Sequence, residues 1–172
     1  PLFRGFKLRE LKNILGLSIG KGIFEEIISG IKTYIRCIPI LFVGISITML
    51  LIKVFGTVPE HPIIYQFENK AISQLIKWAF IACIFAPITE ELIFRGLFYH
   101  YFRQKYAFWI STFTISFIFA LIHPQGIIAV PAIMAISITL SIMRELRISI
   151  IASISGHMFN NTLITGFMII MF

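Results

Sequence analysis

The chain has no aspartate, few charges and only two cysteines, and each shortage excludes a class of protein. Charged residues make up 13% of the 172 residues, about half the share found in a soluble domain. With 58% hydrophobic residues, the composition predicts an integral membrane protein. The absence of aspartate excludes an aspartyl protease dyad. Cys37 and Cys83 lie in apolar runs without CxxC spacing, so neither a disulfide framework nor a redox motif is predicted.

The net charge of +7 does not indicate a nucleic-acid-binding protein. Lysines and arginines cluster between the apolar runs, where they follow the positive-inside bias and contact anionic lipid headgroups. The basic amino-terminal segment, Arg103 with Lys105, and Arg144 with Arg147 are expected on one side. We therefore predict an integral protein of the bacterial plasma membrane with a cytoplasmic N-terminus, surrounded by lipid and without a nucleic acid partner.

Apolar runs long enough to cross a bilayer predict an all-α fold, a polytopic transmembrane bundle of about five spans. Residues 1–33 alternate basic and leucine-rich positions at helical spacing, which predicts an amphipathic segment at the membrane interface. Residues 34–172 form the predicted transmembrane domain. Pro87 is expected to interrupt and kink the second span, with Thr89 capping the resumed helix. The predicted spans cover residues 34–55, 72–102, 107–123, 126–143 and 148–172.

Ionisable residues inside these spans are the strongest functional signal, because a charge at membrane depth is costly unless it is paired or hydrated. Glu91 and Arg95 are one helical turn apart, so they can form an ion pair within the helix. One explanation for the presence of Glu91 is therefore structural: its carboxylate neutralises the charge of Arg95. Glu90 points about 100° away from Glu91 and cannot share that geometry. Glu90 therefore has no local partner in the sequence, and its carboxylate is the predicted general base.

Further polar residues lie in the later spans. Phe119 and His123 are four residues apart at the end of the third span, and His157 and Asn161 are four residues apart within the fifth. Each pair shares one helix face. Asparagine can also join packed helices through hydrogen bonds, but that role explains a mid-span histidine less well.

The depth of these residues is not uniform. Glu91 and His157 lie about 18 Å and about 15 Å from the nearest basic loops, at the rise of an α-helix. His123 follows Arg103 by 20 residues and is expected deeper still. The turn at His123 is therefore predicted to dip into the protein.

These residue types fit hydrolysis of a peptide bond inside a membrane. The reaction needs a base that activates water and donors for the oxyanion of the tetrahedral intermediate. Glu90 is the predicted base, His123 can hold or polarise the water, and His157 with Asn161 can form the oxyanion hole. The zinc-protease motif HExxH is absent. No cofactor is predicted, although glutamate and histidine ligands can also bind zinc or another divalent metal.

The order of the motifs resembles that of the CPBP family, which contains type II CAAX prenyl endopeptidases and bacteriocin-processing or immunity (Abi) proteins. The resemblance covers residues 75–172 and implies an α-helical intramembrane glutamate protease. It implies that Glu91, Arg95 and Phe119 are supporting residues around a catalytic group of four. The matching motifs are EExxxR at Glu90, Glu91 and Arg95, FxxxH at Phe119 and His123, and HxxxN at His157 and Asn161.

Two functions besides cleavage of a membrane-associated peptide or protein stay open. A non-catalytic immunity or regulatory scaffold protein of the same family would act through a membrane protein partner. A transporter or ion-binding channel fits less well, because the polar residues form one cluster and the sequence has no inverted-repeat halves.

Overall fold

The computed structural model describes residues 8–17, 20, 22–57 and 71–171, and in these residues it contains helices and no strand. The all-α prediction is therefore confirmed. Residues 1–7, 18, 19 and 21 of the predicted amphipathic segment and Phe172 of the last predicted span lie outside the described residues. The described helices are α1 (Leu8–Leu15), α2 (Ile23–Arg36), α3 (Ile38–Phe55), α4 (Ile72–Arg103), α5 (Phe108–Leu121), α6 (Val130–Arg147) and α7 (Ile150–Met171).

The helices α3 to α7 correspond in order to the five predicted spans. Of the described helices, α3, α4, and α6 with its preceding 3-10 turn are long and apolar enough to cross a membrane. α5 is apolar but has 14 residues, about 21 Å, against a hydrocarbon layer of about 30 Å. α7 has 22 residues, and polar side chains in its first half lower its hydropathy. Together with the exposed Phe42, Leu50 and Val54 on α3, these features make the chain an integral membrane protein.

The predicted beginning of the first span, residue 34, is wrong. α2 continues to Arg36, and α3 begins at Ile38 after a break at Cys37. Pro39 lies in the first turn of α3, where its missing N–H needs no partner within the helix.

α4 is one continuous helix, so the predicted interruption at Pro87 is wrong. The helix instead widens into π turns on both sides of the proline, at Ile81–Phe85 and Leu92–Phe98. The Thr89 hydroxyl donates to the carbonyl oxygens of Phe85 and Ala86, at 3.0 and 2.9 Å, and is not an N-cap. A wider turn accommodates a residue that lacks an N–H without ending the helix.

α6 lies at the centre of the bundle, packed against α3 and α5 and also against α7. Glycines allow the closest crossings. A side chain on Gly44 of α3 would meet the Pro131 carbonyl of α6 at 2.6 Å. A side chain on Gly30 of α2 would overlap the Ala152 carbonyl of α7. Small residues at such crossings let membrane helices approach each other closely.

Polar contacts hold the helices together at the end of the bundle that carries the basic loops. Arg103 of α4 forms an ion pair with Glu145 of α6 at 2.8 Å. Glu26 of α2 forms an ion pair with Arg147 of α6 at 2.6 Å. The Gly16 carbonyl, just after α1, accepts the N–H of Ile150 at 2.9 Å. These contacts help to fix the relative positions of α4, α6 and α7, and α4 and α7 carry most of the candidate site residues.

Candidate active site

Glu91 and Arg95 form a buried ion pair beneath the cavity-facing residues of the site. Both side chains are fully buried, and Arg95 Nη1 lies 2.8 Å from Glu91 Oε1. Arg95 Nη2 donates to the carbonyl oxygen and the hydroxyl of Ser137 on α6, at 2.8 and 2.6 Å. The guanidinium also lies 4.9 Å from the centre of the Phe119 ring. Arg95 therefore joins α4, α5 and α6, and Glu91 balances its charge.

The imidazole of His157 lies between the two adjacent glutamates. Its Nδ1 is 3.0 Å from Glu91 Oε1, and its Nε2 is 3.7 Å from Glu90 Oε2. An ionised carboxylate only accepts hydrogen bonds, so the proton of this first contact is carried by Nδ1. Glu91, held by Arg95, thereby fixes the orientation of the ring. The remaining nitrogen faces the Glu90 side.

His123 follows α5 in a short turn and reaches the same region. Its Nδ1 lies 2.6 Å from the carbonyl oxygen of Phe119, and the two rings are 4.4 Å apart. Because a carbonyl only accepts, Nδ1 carries the proton, and Nε2 of the neutral ring is free to accept a hydrogen bond. The Phe119 ring also lies 6.1 Å from His157. Phe119 therefore packs against both histidines and against Arg95.

Asn161 is held by hydrogen bonds on both sides of its amide. Its Nδ2 donates to the Ala82 carbonyl on α4 at 2.9 Å, and its Oδ1 accepts from Asn160 Nδ2 at 3.0 Å. The Oδ1 of Asn160 accepts from the Tyr34 hydroxyl on α2 at 2.7 Å. Tyr34 and Asn160 are not among the sequence-predicted site residues. Asn160 could be noticed only as the neighbour of Asn161, and nothing in the local sequence marks Tyr34.

All four predicted catalytic residues line one cavity of about 460 Å³. Glu90, His123, His157 and Asn161 come from α4, the turn after α5, and α7. Most of the remaining lining is apolar. His123 thus lines the same cavity as the other three residues, although it follows Arg103 by 20 residues. A partly polar cavity of this size inside a bundle can hold water next to the Glu90 carboxylate.

Metal-assisted hydrolysis and a serine nucleophile are two other chemistries that a polar site of this kind can carry. Among the described residues, no group of three or more histidine, cysteine or glutamate side chains could hold a metal ion. The predicted absence of a cofactor stays a prediction. Gly16–Gly20 has the spacing GxSxG of a serine nucleophile elbow. That motif requires a strand-to-helix turn, whereas this segment lies between the helices α1 and α2, and Ser18 lies outside the described residues.

Comparison with known proteins agrees with the arrangement of the motifs. The family described as Type II CAAX prenyl endopeptidase Rce1-like matches residues 72–163, which include every predicted site residue. An Escherichia coli relative, named "Uncharacterized 24.3 kDa protein", is 28% identical over 98 residues. This alignment covers 56% of the chain and 44% of the relative, so the chain spans less than half of that protein. No solved structure matches the chain significantly. The family match extends over more than half of the chain, and the protein therefore belongs to the Rce1-like family of type II CAAX prenyl endopeptidases.

Proposed function

We propose that this protein is an intramembrane endopeptidase that cleaves a membrane-associated substrate with water activated by Glu90. The observation that carries the proposal is the shared cavity, in which Glu90 lies 3.7 Å from His157 and faces the same space as His123. The side chain of Glu90 is 33% exposed within the protein, whereas that of Glu91 is fully buried. Glu90 is therefore the carboxylate of the pair that water can reach.

The reaction begins with water between Glu90 and His123. The Glu90 carboxylate takes one proton from the water, and the free Nε2 of His123 accepts a hydrogen bond that orients it. The oxygen attacks the peptide carbonyl carbon, which forms a tetrahedral oxyanion. Protonated Glu90 then gives its proton to the leaving nitrogen as the C–N bond breaks. The products are a carboxylic acid and an amine, which exchange a proton to become a carboxylate and an ammonium ion, and Glu90 returns to its initial ionised state.

The oxyanion is stabilised by His157 and Asn161. Asn161 uses one N–H for Ala82, so its second N–H is available to the cavity. His157 already gives its Nδ1 proton to Glu91, so it can donate through Nε2 only as an imidazolium. Ionised Glu90 and Glu91 with positively charged Arg95 and His157 form a neutral cluster.

The family and the lining of the cavity support one substrate class. The family name points to a peptide with a carboxyl-terminal CaaX sequence, in which the cysteine carries a prenyl group. Largely apolar walls, including Trp78, Ile133 and Ile136, suit the apolar residues of such a sequence. Processing of a bacteriocin-like peptide uses the same chemistry.

The test is cleavage by the purified protein in liposomes. The probe is a quenched fluorescent peptide that ends in a farnesylated CaaX sequence, with an unprenylated peptide as a second probe. Mass spectrometry of the products in H₂¹⁸O detects the labelled oxygen in the new carboxylate. Glu90→Gln is expected to reduce kcat by at least about 100-fold. Glu25→Gln, on the exposed face of α2, is the matched control and is expected to cleave like the wild type.

If Glu90→Gln cleaves either probe as fast as the wild type, the proposal is wrong. If wild-type protein cleaves neither probe, the Glu90→Gln protein serves as a trap for its cellular substrate. Recovery of an uncut peptide by this variant and of the cut peptide by the wild type supports proteolysis. A cellular effect that survives Glu90→Gln and His123→Ala supports the non-catalytic scaffold instead.

A further inference from the structure

A directional chain of hydrogen bonds leads from α2 to the candidate oxyanion donor. Tyr34 Oη donates to Asn160 Oδ1 at 2.7 Å, and Asn160 Nδ2 donates to Asn161 Oδ1 at 3.0 Å. Asn161 Nδ2 then donates to the carbonyl oxygen of Ala82 at 2.9 Å. The chain crosses three helices, α2, α7 and α4. Each bond has one donor and one acceptor, so the orientation of every member depends on its neighbour.

The last acceptor of this hydrogen-bond series, the Ala82 carbonyl, is available because of Pro87. In the π turn, the N–H of Ala86 donates to the carbonyl of Ile81, five residues earlier. The next bond of that register would join residue 87 to Ala82, but proline has no N–H. The Ala82 carbonyl is therefore left without this backbone donor, and Asn161 takes the position. The local geometry of α4 thus provides a fixed point for the Asn161 amide.

The two residues at the α2 end of this hydrogen-bond series, Tyr34 and Asn160, are buried. Tyr34 is 8% exposed and Asn160 is 5% exposed, and the Tyr34 ring packs edge-on against Phe159 at 5.4 Å. Removing one partner of a buried hydrogen bond leaves the other unsatisfied, so such bonds hold their geometry firmly. Asn160 can present its N–H to Asn161 only while its oxygen faces Tyr34. Tyr34 therefore decides which way both amides point.

We propose that Tyr34 and Asn160 are positioning residues, which hold the Asn161 amide so that its second N–H faces the oxyanion. The proposal rests on the proposed function and adds the element that orients one of its two donors. Tyr34 does not line the cavity. Asn160 does, but its Oδ1 accepts from Tyr34 and its Nδ2 donates to Asn161. Without the Tyr34 hydroxyl, the amide of Asn160 can turn over and place its oxygen, in place of the N–H, against Asn161. Asn161 would then lose its fixed orientation while remaining in the site.

The competing explanation is that the chain only joins helices. A joining role affects the amount of folded protein and its thermal stability. A positioning role changes kcat without changing KM, because an oxyanion donor acts in the transition state and not on bound substrate. The two roles also differ when Asn161 is absent. A residue that acts only through Asn161 has no further effect on kcat in an Asn161→Ala background.

The experiment measures kcat and KM on the farnesylated quenched peptide for Tyr34→Phe, Asn161→Ala and the double variant. Asn161→Ala is expected to lower kcat about 100-fold, and Tyr34→Phe about 5- to 20-fold, since the donor is loosened and not removed. The double variant is expected to match Asn161→Ala alone. Tyr99→Phe is the matched control, because this buried tyrosine donates to Glu145 at 2.9 Å at the end with the basic loops. Its kcat is expected to stay at the wild-type level.

Asn160→Asp is a second variant for the case that Tyr34→Phe does not fold. It keeps the shape and the acceptor for Tyr34 but replaces the N–H that faces Asn161 by a second acceptor. We expect its kcat to fall at least as far as that of Tyr34→Phe, with KM unchanged. An unchanged kcat in folded Tyr34→Phe or Asn160→Asp overturns the positioning role. A loss from Tyr34→Phe that recurs in full in the Asn161→Ala background overturns it as well.

Glu90→Gln separates this inference from the proposed function. If Glu90→Gln is inactive and Tyr34→Phe is fully active, only the positioning role is wrong. If Glu90→Gln is fully active, the proposed function itself is wrong, and the inference falls with it.

Discussion

The Nδ1 atom of His157 lies 3.0 Å from the Oε1 atom of Glu91, the same oxygen that Arg95 Nη1 approaches to 2.8 Å. One carboxylate oxygen thus serves a structural arginine and a histidine that faces the cavity. The two functions of Glu91 cannot be separated, because both depend on its negative charge. The neighbouring Glu90 makes no contact of this kind with Arg95 and is open to the cavity.

Glu91→Gln is expected to lower both stability and activity. The change leaves the fully buried Arg95 without its counter-charge, which costs about 3–5 kcal/mol for a buried pair. Thermal unfolding in detergent and peptide cleavage in liposomes measure the two effects. Glu90→Gln is the matched control, and we expect it to lose activity while keeping the wild-type Tm. A Glu91→Gln protein with the Tm of the wild type would contradict the assigned role of the ion pair.

His123→Asn is expected to lower kcat at least about 100-fold, because it removes the ring nitrogen that orients the attacking water. Its side chain lies in a turn at the edge of the cavity, so a small change in Tm is expected. His100→Asn provides the control, because His100 is near the loop end of α4 and contacts Gln104. Equal kcat values for both variants would remove His123 from the mechanism.

Gly30→Ala is expected to destabilise the crossing of α2 and α7. The added methyl group would overlap the Ala152 carbonyl and the Ser155 hydroxyl, and overpacking of this kind costs about 1–3 kcal/mol. Gly166→Ala on α7 is the control, since no atom lies within 4 Å of the added carbon. Alanine favours the helix at that position by up to about 1 kcal/mol. Denaturation of both variants should show changes of opposite sign, and a stabilised Gly30→Ala would refute the close approach.

The pair of Arg103 and Glu145 is expected to contribute to stability but not to catalysis. Their side chains are 31% and 35% exposed, so a coupling energy of about 1 kcal/mol or less is expected from a double-mutant cycle. The cycle compares Arg103→Gln, Glu145→Gln and the double variant by chemical denaturation. Cleavage should remain at the wild-type rate in all three. A large loss of kcat in either single variant would link this end of the bundle to the site.

The sequence predicts the residues of the cavity better than it predicts the helix boundaries. Glu91 with Arg95 is visible because residues one turn apart share a helix face. Phe119 with His123 and His157 with Asn161 are visible for the same reason. Polar residues in apolar runs also stand out against lipid. The mismatch in depth of His123 is visible from counting residues alone.

The break at Cys37 and the continuity of α4 through Pro87 depend on tertiary packing. Hydropathy does not distinguish a proline that begins a helix from one that a π turn absorbs. The contact between Tyr34 and Asn160 joins residues 126 positions apart. No local sequence pattern predicts such a contact, because it depends on the packing of α2 against α7.

Arg95 has a consequence for the order in which the protein is built. It is fully buried, and the residue outside α4 to which its side chain donates hydrogen bonds, Ser137, lies on α6, which the ribosome makes later. Glu91 likewise reaches His157 only after α7 has been made. Until then α4 must enter the bilayer with just its internal ion pair to reduce the cost of two opposite charges. Stable insertion of α4 therefore depends on the carboxyl-terminal helices, and chains truncated before residue 137 should be targets of membrane quality control.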